Sequence, residues 1–237
     1  MSQLPFDPTP RAVLLDLDDT LCDYAGARQQ RLRLAFSDVT GLPPDSAALE
    51  SLVEASIAMQ PHGADHFAEL FAAHGIGSAE GARRAATWYR ENRFYGLALF
   101  PDAVTVLGAL RGAGSGQPRR PIGIITNGPA DVQADKVALL QIGEYVDFVI
   151  ISGVFGVAKP DPAIFAEALR RTGSTPDETI FVGDSADHDI AGAHAAGLRS
   201  VWISRTGVRW ARQAPGPDRQ IEHIGQLPAL FNDPADR

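Results

Sequence analysis

Ala12-Val13-Leu14-Leu15-Asp16-Leu17-Asp18-Asp19-Thr20 is the stretch on which the fold turns. Four apolar residues, the length of a short buried strand, run straight into a carboxylate. Three other short apolar runs end on small polar residues in the same way. Residues 121–126 (PIGIIT) close on Thr126-Asn127-Gly128, residues 147–151 on Ser152-Gly153, and residues 179–182 on Gly183-Asp184-Ser185. Residues 199–203 (RSVWI) read as one more strand. Between these runs, residues 130–141, 162–171 and 187–195 carry helical patterns. Strands alternating with helices predict an α/β fold, a Rossmann-like parallel sheet with helices on both faces. In open sheets of that kind ligands sit outside the carboxyl ends of the strands, so the four polar clusters are expected to line one crevice.

From about Tyr24 to Leu97 the pattern changes. Residues 25–37, 46–58, 64–74 and 80–94 each space their apolar residues as helices do, and GLPPD, QPHG and GIGS break them apart. Such a block is long for a crossover connection and predicts an inserted all-helical subdomain. The expected division is a core of residues 1–23 and 98–237 and an insert of residues 24–97. Beyond Arg205, residues 213–219 read as loop and residues 225–231 as a closing helix.

Composition narrows the partners. The 237-residue chain carries a net charge of −8 and no basic run longer than a pair such as Arg119-Arg120. Nucleic-acid backbones need a clustered basic footprint, so no nucleic acid is expected as main partner. No run of eighteen apolar residues exists, which predicts no membrane span. The N-terminus lacks the apolar stretch of a secretory leader. The single cysteine, Cys22, suits a reducing cytoplasm and is expected to be a buried or half-buried small residue.

DLDDT, ITNG, KPDP and GDSADHDI, in that order, resemble the four motifs of the haloacid dehalogenase-like hydrolases, and the likeness runs from about Arg11 to Ile203. The helical insertion is similar to the type-one cap of that superfamily, and the chain looks closest to its small-metabolite phosphatases. The resemblance implies a Mg²⁺-dependent phosphatase. Asp16 would attack phosphorus to form an aspartyl-phosphate, splitting one difficult hydrolysis into two displacements. Asp18 would protonate the leaving alcohol and then activate water, and would give the ion its backbone carbonyl. Asp16 and Asp184 would complete the metal ligands. Thr126 and Asn127 would offer a hydroxyl and an amide to the phosphoryl oxygens, although TNG alone marks an ordinary turn or cap. Lys159 would supply a point charge to Asp16 and the phosphoryl group. Asp189 is assigned to a metal-bound water or to Lys159. Thr20 is expected to support the turn through its hydroxyl, and the cap to exclude bulk water during the first half-reaction.

Motif content separates related chemistries. Dehalogenases lack a carboxylate at the Asp18 position, and phosphonatases use a cap lysine, whereas residues 24–97 contain no lysine. The implied partner is a small phosphorylated metabolite such as a nucleotide or sugar phosphate. A phosphomutase of the β-phosphoglucomutase kind keeps both aspartates and stays open. So does a non-catalytic, receiver-like phosphate-binding module, though it would need neither Asp18 nor the insertion. Monomer and homodimer are equally compatible with the sequence.

Overall fold

The structure is a computed structural model that describes residues 4–59, 65–112, 119–205, 209–210 and 215–231. Its centre is a six-stranded sheet built from β1 (Ala12–Leu15), β2 (Ile122–Thr126), β3 (Phe148–Ile151), β4 (Thr179–Gly183), β5 (Arg199–Ile203) and β6 (Arg219–Ile221). The strands lie in the order β3-β2-β1-β4-β5-β6, and every pairing is parallel. Every residue of β1, β2 and β4 is buried. Successive side chains point to opposite faces of a sheet, so complete burial means that both faces are covered, as a parallel sheet requires.

Register places the functional edge. Leu15, the last residue of β1, pairs with Ile124 of β2 and Val182 of β4. The next residue, Asp16, is tied to β4 by its backbone N–H, which donates to Val182 O at 2.9 Å. The carboxyl ends of these three strands therefore finish side by side. The chain first winds from β1 through β2 to β3, then returns to the other side of β1 as β4. That reversal is the switch point at which such sheets open a binding crevice.

The chain divides into two compact units, Met1–Asp23 with Leu99–Arg237, and Tyr24–Ala98. The second contains α1 (Tyr24–Thr40), α2 (Ala47–Ala58), α3 (His66–His74) and α4 (Ala79–Glu91), and no strand among its described residues. Ser46 caps α2 by accepting from Leu49 N, and Ser78 caps α4 by accepting from Gly81 N. Phe36 meets Phe67 and Phe71 edge-on, at centroid distances of 5.1 and 5.4 Å, in the centre of this unit's own core.

The first unit also carries α5 (Ala103–Leu110), α6 (Ala130–Leu139), α7 (Ser152–Phe155), α8 (Pro162–Thr172) and α9 (Ala191–Ala195). Asp161 caps α8, with Pro162 pre-set at its first position. Several boundaries differ from the sequence expectation. Residues 219–221 form edge strand β6, which begins at the last residue of the expected loop; its three residues are too few to show an alternation. The closing helix is a 3₁₀ helix, Ile224–Leu230, with Pro228 inside it. The helix expected from Asp187 opens with a π-helical turn, Ala186–Ile190, in which Ile190 N donates to Ser185 O at 3.2 Å. Residues 64 and 213–214 of the expected elements lie outside the described residues.

Candidate active site

The crevice at the strand ends encloses about 180 Å³ and is lined by Asp16, Asp18, Thr126, Asn127, Lys159 and Asp184, together with Asp19, Ser185, His188 and Asp189. All the sequence-predicted site residues therefore meet in one place. The crevice is smaller than the roughly 300–1,000 Å³ typical of a pocket that encloses a whole small molecule.

Asp16 leaves β1 as the chain enters a tight turn. Leu21 N and Cys22 N both donate to Leu17 O, and Asp19 sits in the left-handed region at φ 57°, which aspartate tolerates better than most residues. The hydroxyl of Thr20, expected to support this turn, is buried without a hydrogen-bond partner among the described residues. Arg205 does that work instead: Nε donates to Asp19 O at 2.9 Å and Nη2 to Thr20 O at 2.8 Å, while its guanidinium lies 3.3 Å over the Phe100 ring. A main-chain carbonyl makes an equally good acceptor, and a sequence does not display it.

Lys159, 3% exposed, is the hub of the charges. Nζ donates to Asp16 Oδ1 at 2.5 Å and to Asp189 Oδ1 at 2.7 Å. Burial alone would lower the lysine's pKa, but Asp16 and then Asp189 overrule it and hold the ammonium charged. Burial pushes the Asp16 carboxyl well above the ordinary carboxylate range, against the pull of Lys159. Asp184 is pushed up to about 7, first by burial and then by the charges of Asp189 and Asp19. Carboxylate oxygens of Asp16, Asp184 and Asp189 lie within 4.8 Å of one another. That is an acidic cluster able to hold a divalent ion.

The supports of these groups explain the local sequence. Asp189, fully buried, turns back inside the π-helical turn so that Oδ2 accepts from Ser185 N at 2.9 Å. Gly183 makes room for it, since a Cβ there would stand 2.3 Å from Asp189 Oδ2. Trp202 Nε1 donates to Asp184 O at 2.7 Å and pins the main chain of that residue. Asn127 clamps the lysine loop: its Nδ2 donates to Lys159 O and its Oδ1 accepts from Lys159 N, both at 2.9 Å. Ser152 braces the neighbouring turn, with Oγ accepting from Gly128 N at 3.0 Å. Cys22 is fully buried, and its thiol is pushed up by burial and then by Asp18.

Two residues of α6 went unforeseen. Lys136 Nζ lies 2.8 and 2.6 Å from the two carboxylate oxygens of Asp18, and Gln133 Nε2 donates to Asp18 Oδ2 at 3.1 Å. The same amide reaches Thr126 Oγ1 at 3.0 Å and Asn127 O at 2.6 Å.

A parallel α/β sheet with a carboxylate-and-lysine crevice at its switch point places the protein in the Rossmann-like class. The family model for haloacid dehalogenase-like hydrolases matches residues 10–197, and the chain belongs to that family. Among curated proteins it is similar to a glyceraldehyde 3-phosphate phosphatase of Methanopyrus kandleri, 34% identical over 82% of this chain and 84% of that protein. A phosphoserine phosphatase of Thermus thermophilus is 36% identical over 64% of this chain and 58% of its own length. Among solved structures, the magnesium-bound HAD-hydrolase YfnB of Bacillus subtilis shares the fold, with a TM-score of 0.73 at 21% identity over 95% of this chain and 100% of that one.

Proposed function

We propose that the chain is a magnesium-dependent phosphatase that hydrolyses a small phosphate monoester through an aspartyl-phosphate on Asp16. The observation that carries this reading is the meeting of two carboxylates, Asp16 and Asp18, in one crevice with a buried lysine bound to the first. The named relatives, which act on glyceraldehyde 3-phosphate and phosphoserine, support a small phosphate monoester as the substrate.

The donor set fits Mg²⁺: hard carboxylate oxygens, with no thiolate or imidazole in the cluster. Both oxygens of Asp189 are already engaged, one by Lys159 and one by Ser185 N, which leaves Asp16 and Asp184 as the side chains free to ligate, with the Asp18 carbonyl implied by the family. When bound, the ion shields the Asp16 carboxylate from the charge of the phosphoryl dianion it must approach.

The first displacement forms a bond from a carboxylate oxygen of Asp16 to phosphorus and breaks the ester P–O bond. The departing oxygen keeps that electron pair and takes the proton of the Asp18 carboxyl. Lys159 and Thr126 hold the phosphoryl oxygens as charge develops on them. In the second displacement, water attacks phosphorus, its proton passes to the Asp18 carboxylate, and the bond to Asp16 breaks with the electrons returning to its carboxylate. The sum is ester and water giving alcohol and phosphate, with both aspartates regenerated. The one buried free cysteine is compatible with a cytoplasmic enzyme, and no helix among the described residues is long and apolar enough to cross a membrane.

The test is phosphate release from p-nitrophenyl phosphate and a panel of metabolite phosphates, with and without magnesium. Release that requires magnesium is expected. Failure across the panel would favour a binding module, and conversion of glucose 1-phosphate to its isomer without phosphate release would favour a mutase.

A further inference from the structure

Helix α6 is packed against expectation. Its two buried side chains are Gln133 and Lys136, 2% and 3% exposed, whereas Leu139 at its end is 53% exposed. Lysine is almost never fully buried unless a partner holds it, and a helix normally turns its apolar residues inward. The two polar residues stand three apart and so share one face. That face is applied to Asp18.

The cost of the arrangement is visible. Gln133 Oε1 is buried with no hydrogen-bond partner among the described residues, while the two N–H donors of its amide are shared among three acceptors: Asp18, Thr126 and the Asn127 carbonyl. A lost acceptor of this kind destabilises by about 1–3 kcal/mol, more than one neutral hydrogen bond returns. Lys136 approaches both oxygens of Asp18, a two-point grip that fixes the rotation of the carboxyl plane as well as its position. An apolar face at positions 133 and 136 would pack the helix at less cost. It would leave Asp18 free to swing.

We propose that Gln133 and Lys136 are positioning residues that aim the Asp18 carboxyl at the departing ester oxygen. The proposal rests on Asp18 being the acid and base of the phosphatase reading. Neither residue touches substrate; both act through Asp18. Gln133 links that group to Thr126 as well, so the acid/base carboxyl and a phosphoryl-binding hydroxyl are held from the same helix.

A misaimed acid harms poor leaving groups most. p-Nitrophenolate departs with little help from a proton, whereas an alkoxide needs one, and general acid catalysis contributes about 10²–10⁴-fold. The quantity to measure is kcat/KM for p-nitrophenyl phosphate and for a simple alkyl phosphate under saturating magnesium. This ratio covers only steps up to ester cleavage, so hydrolysis of the intermediate does not enter it. In Lys136→Met, the alkyl value is expected to fall at least about tenfold further than the aryl value. Lys136→Arg, which keeps a two-point donor, is expected to recover part of that difference. Should the methionine variant lose its cooperative melt, Lys136→Gln carries the same comparison.

Equal losses on both esters, with Arg no better than Met, would reduce Lys136 to a structural ion pair and overturn the proposal. Wild-type protein inactive on both esters would instead overturn the phosphatase reading, and the proposal with it. The two failures are thus distinguishable from the wild-type assay alone.

Discussion

Replacing Lys159 with methionine should destabilise the core unit sharply, and more at alkaline than at acid pH. The substitution keeps most of the side-chain volume and removes the one charge that touches both Asp16 and Asp189, carboxylates that are 7% and 0% exposed. Removing one partner of a buried ion pair costs about 3–5 kcal/mol, because the remaining charge is left unpaired. For a chain of this size each kcal/mol is worth about 2–4 °C, so the melting temperature should fall by about 6–20 °C at pH 8 without metal. The pH dependence has a definite sign. Burial raises the folded-state pKa of Asp16 above its unfolded value, so the folded protein takes up protons as pH falls. Its destabilising contribution is absent near the unfolded pKa and grows as pH rises toward the folded one. Lys159 pulls the Asp16 pKa down, so without it that carboxyl sits higher still, the variant loses more stability than wild type as pH rises, and the deficit should shrink at pH 5. Thermal denaturation followed by circular dichroism, with wild type and variant at both pH values, measures this directly. A deficit below about 1 kcal/mol at pH 8, the worth of an exposed pair, would refute the buried-hub geometry.

Other expectations follow from the same site. Asp16→Asn should lower phosphate release by at least about a thousandfold while the protein keeps its cooperative melt, since the amide has no nucleophilic oxygen to offer; a near-normal rate would remove Asp16 from that role. Asp184 has a folded pKa of about 7 against an ordinary value near 3.8, so its contribution to metal-free stability is lost as pH climbs between those values. Magnesium at about 100 times its dissociation constant should then stabilise by about 2.7 kcal/mol at pH 8 and by much less at pH 5, where protons compete for the ligand. Equal thermal shifts at both pH values would count against the carboxylate ligands. Gly183→Ala would drive a Cβ to 2.3 Å from Asp189 Oδ2 and displace that side chain from Lys159. We expect a loss of about 1–3 kcal/mol together with a fall in kcat, and an unchanged rate would show that Asp189 has slack.

The sheet was legible because its strands are short apolar runs that stop on polar residues, and because β1 stops on Asp16. Parallel pairing then aligned those stops, and periodicity alone is enough to predict that. The helical insertion was legible for the same reason, since three breaks rich in glycine and proline separate its four helices. Edge strand β6 was not, because Arg-Gln-Ile carries no alternation and takes its strand form only from pairing with β5. The π-helical turn was hidden because it exists to bring the Asp189 side chain back to Ser185 N, a tertiary demand with no local signature. Each carboxylate in the crevice came from a motif. What the motifs do not contain is the holding apparatus: Arg205 on the carbonyls of the turn, Trp202 on Asp184 O, and the polar face of α6 on Asp18. Lys136 could have been suspected from a helical wheel, which sets it on one face with Gln133. Only the structure shows that this face is turned inward.

Chemical trapping of the acyl phosphate tests the account most directly. Protein turning over p-nitrophenyl phosphate with magnesium is quenched in acid, digested with trypsin, and searched by mass spectrometry for a phosphoryl group on the peptide that spans residues 12–28. A phosphoryl adduct on Asp16 that is absent from Asp16→Asn is the expected result. Steady turnover with no adduct on Asp16, or with the adduct on another residue, would contradict it.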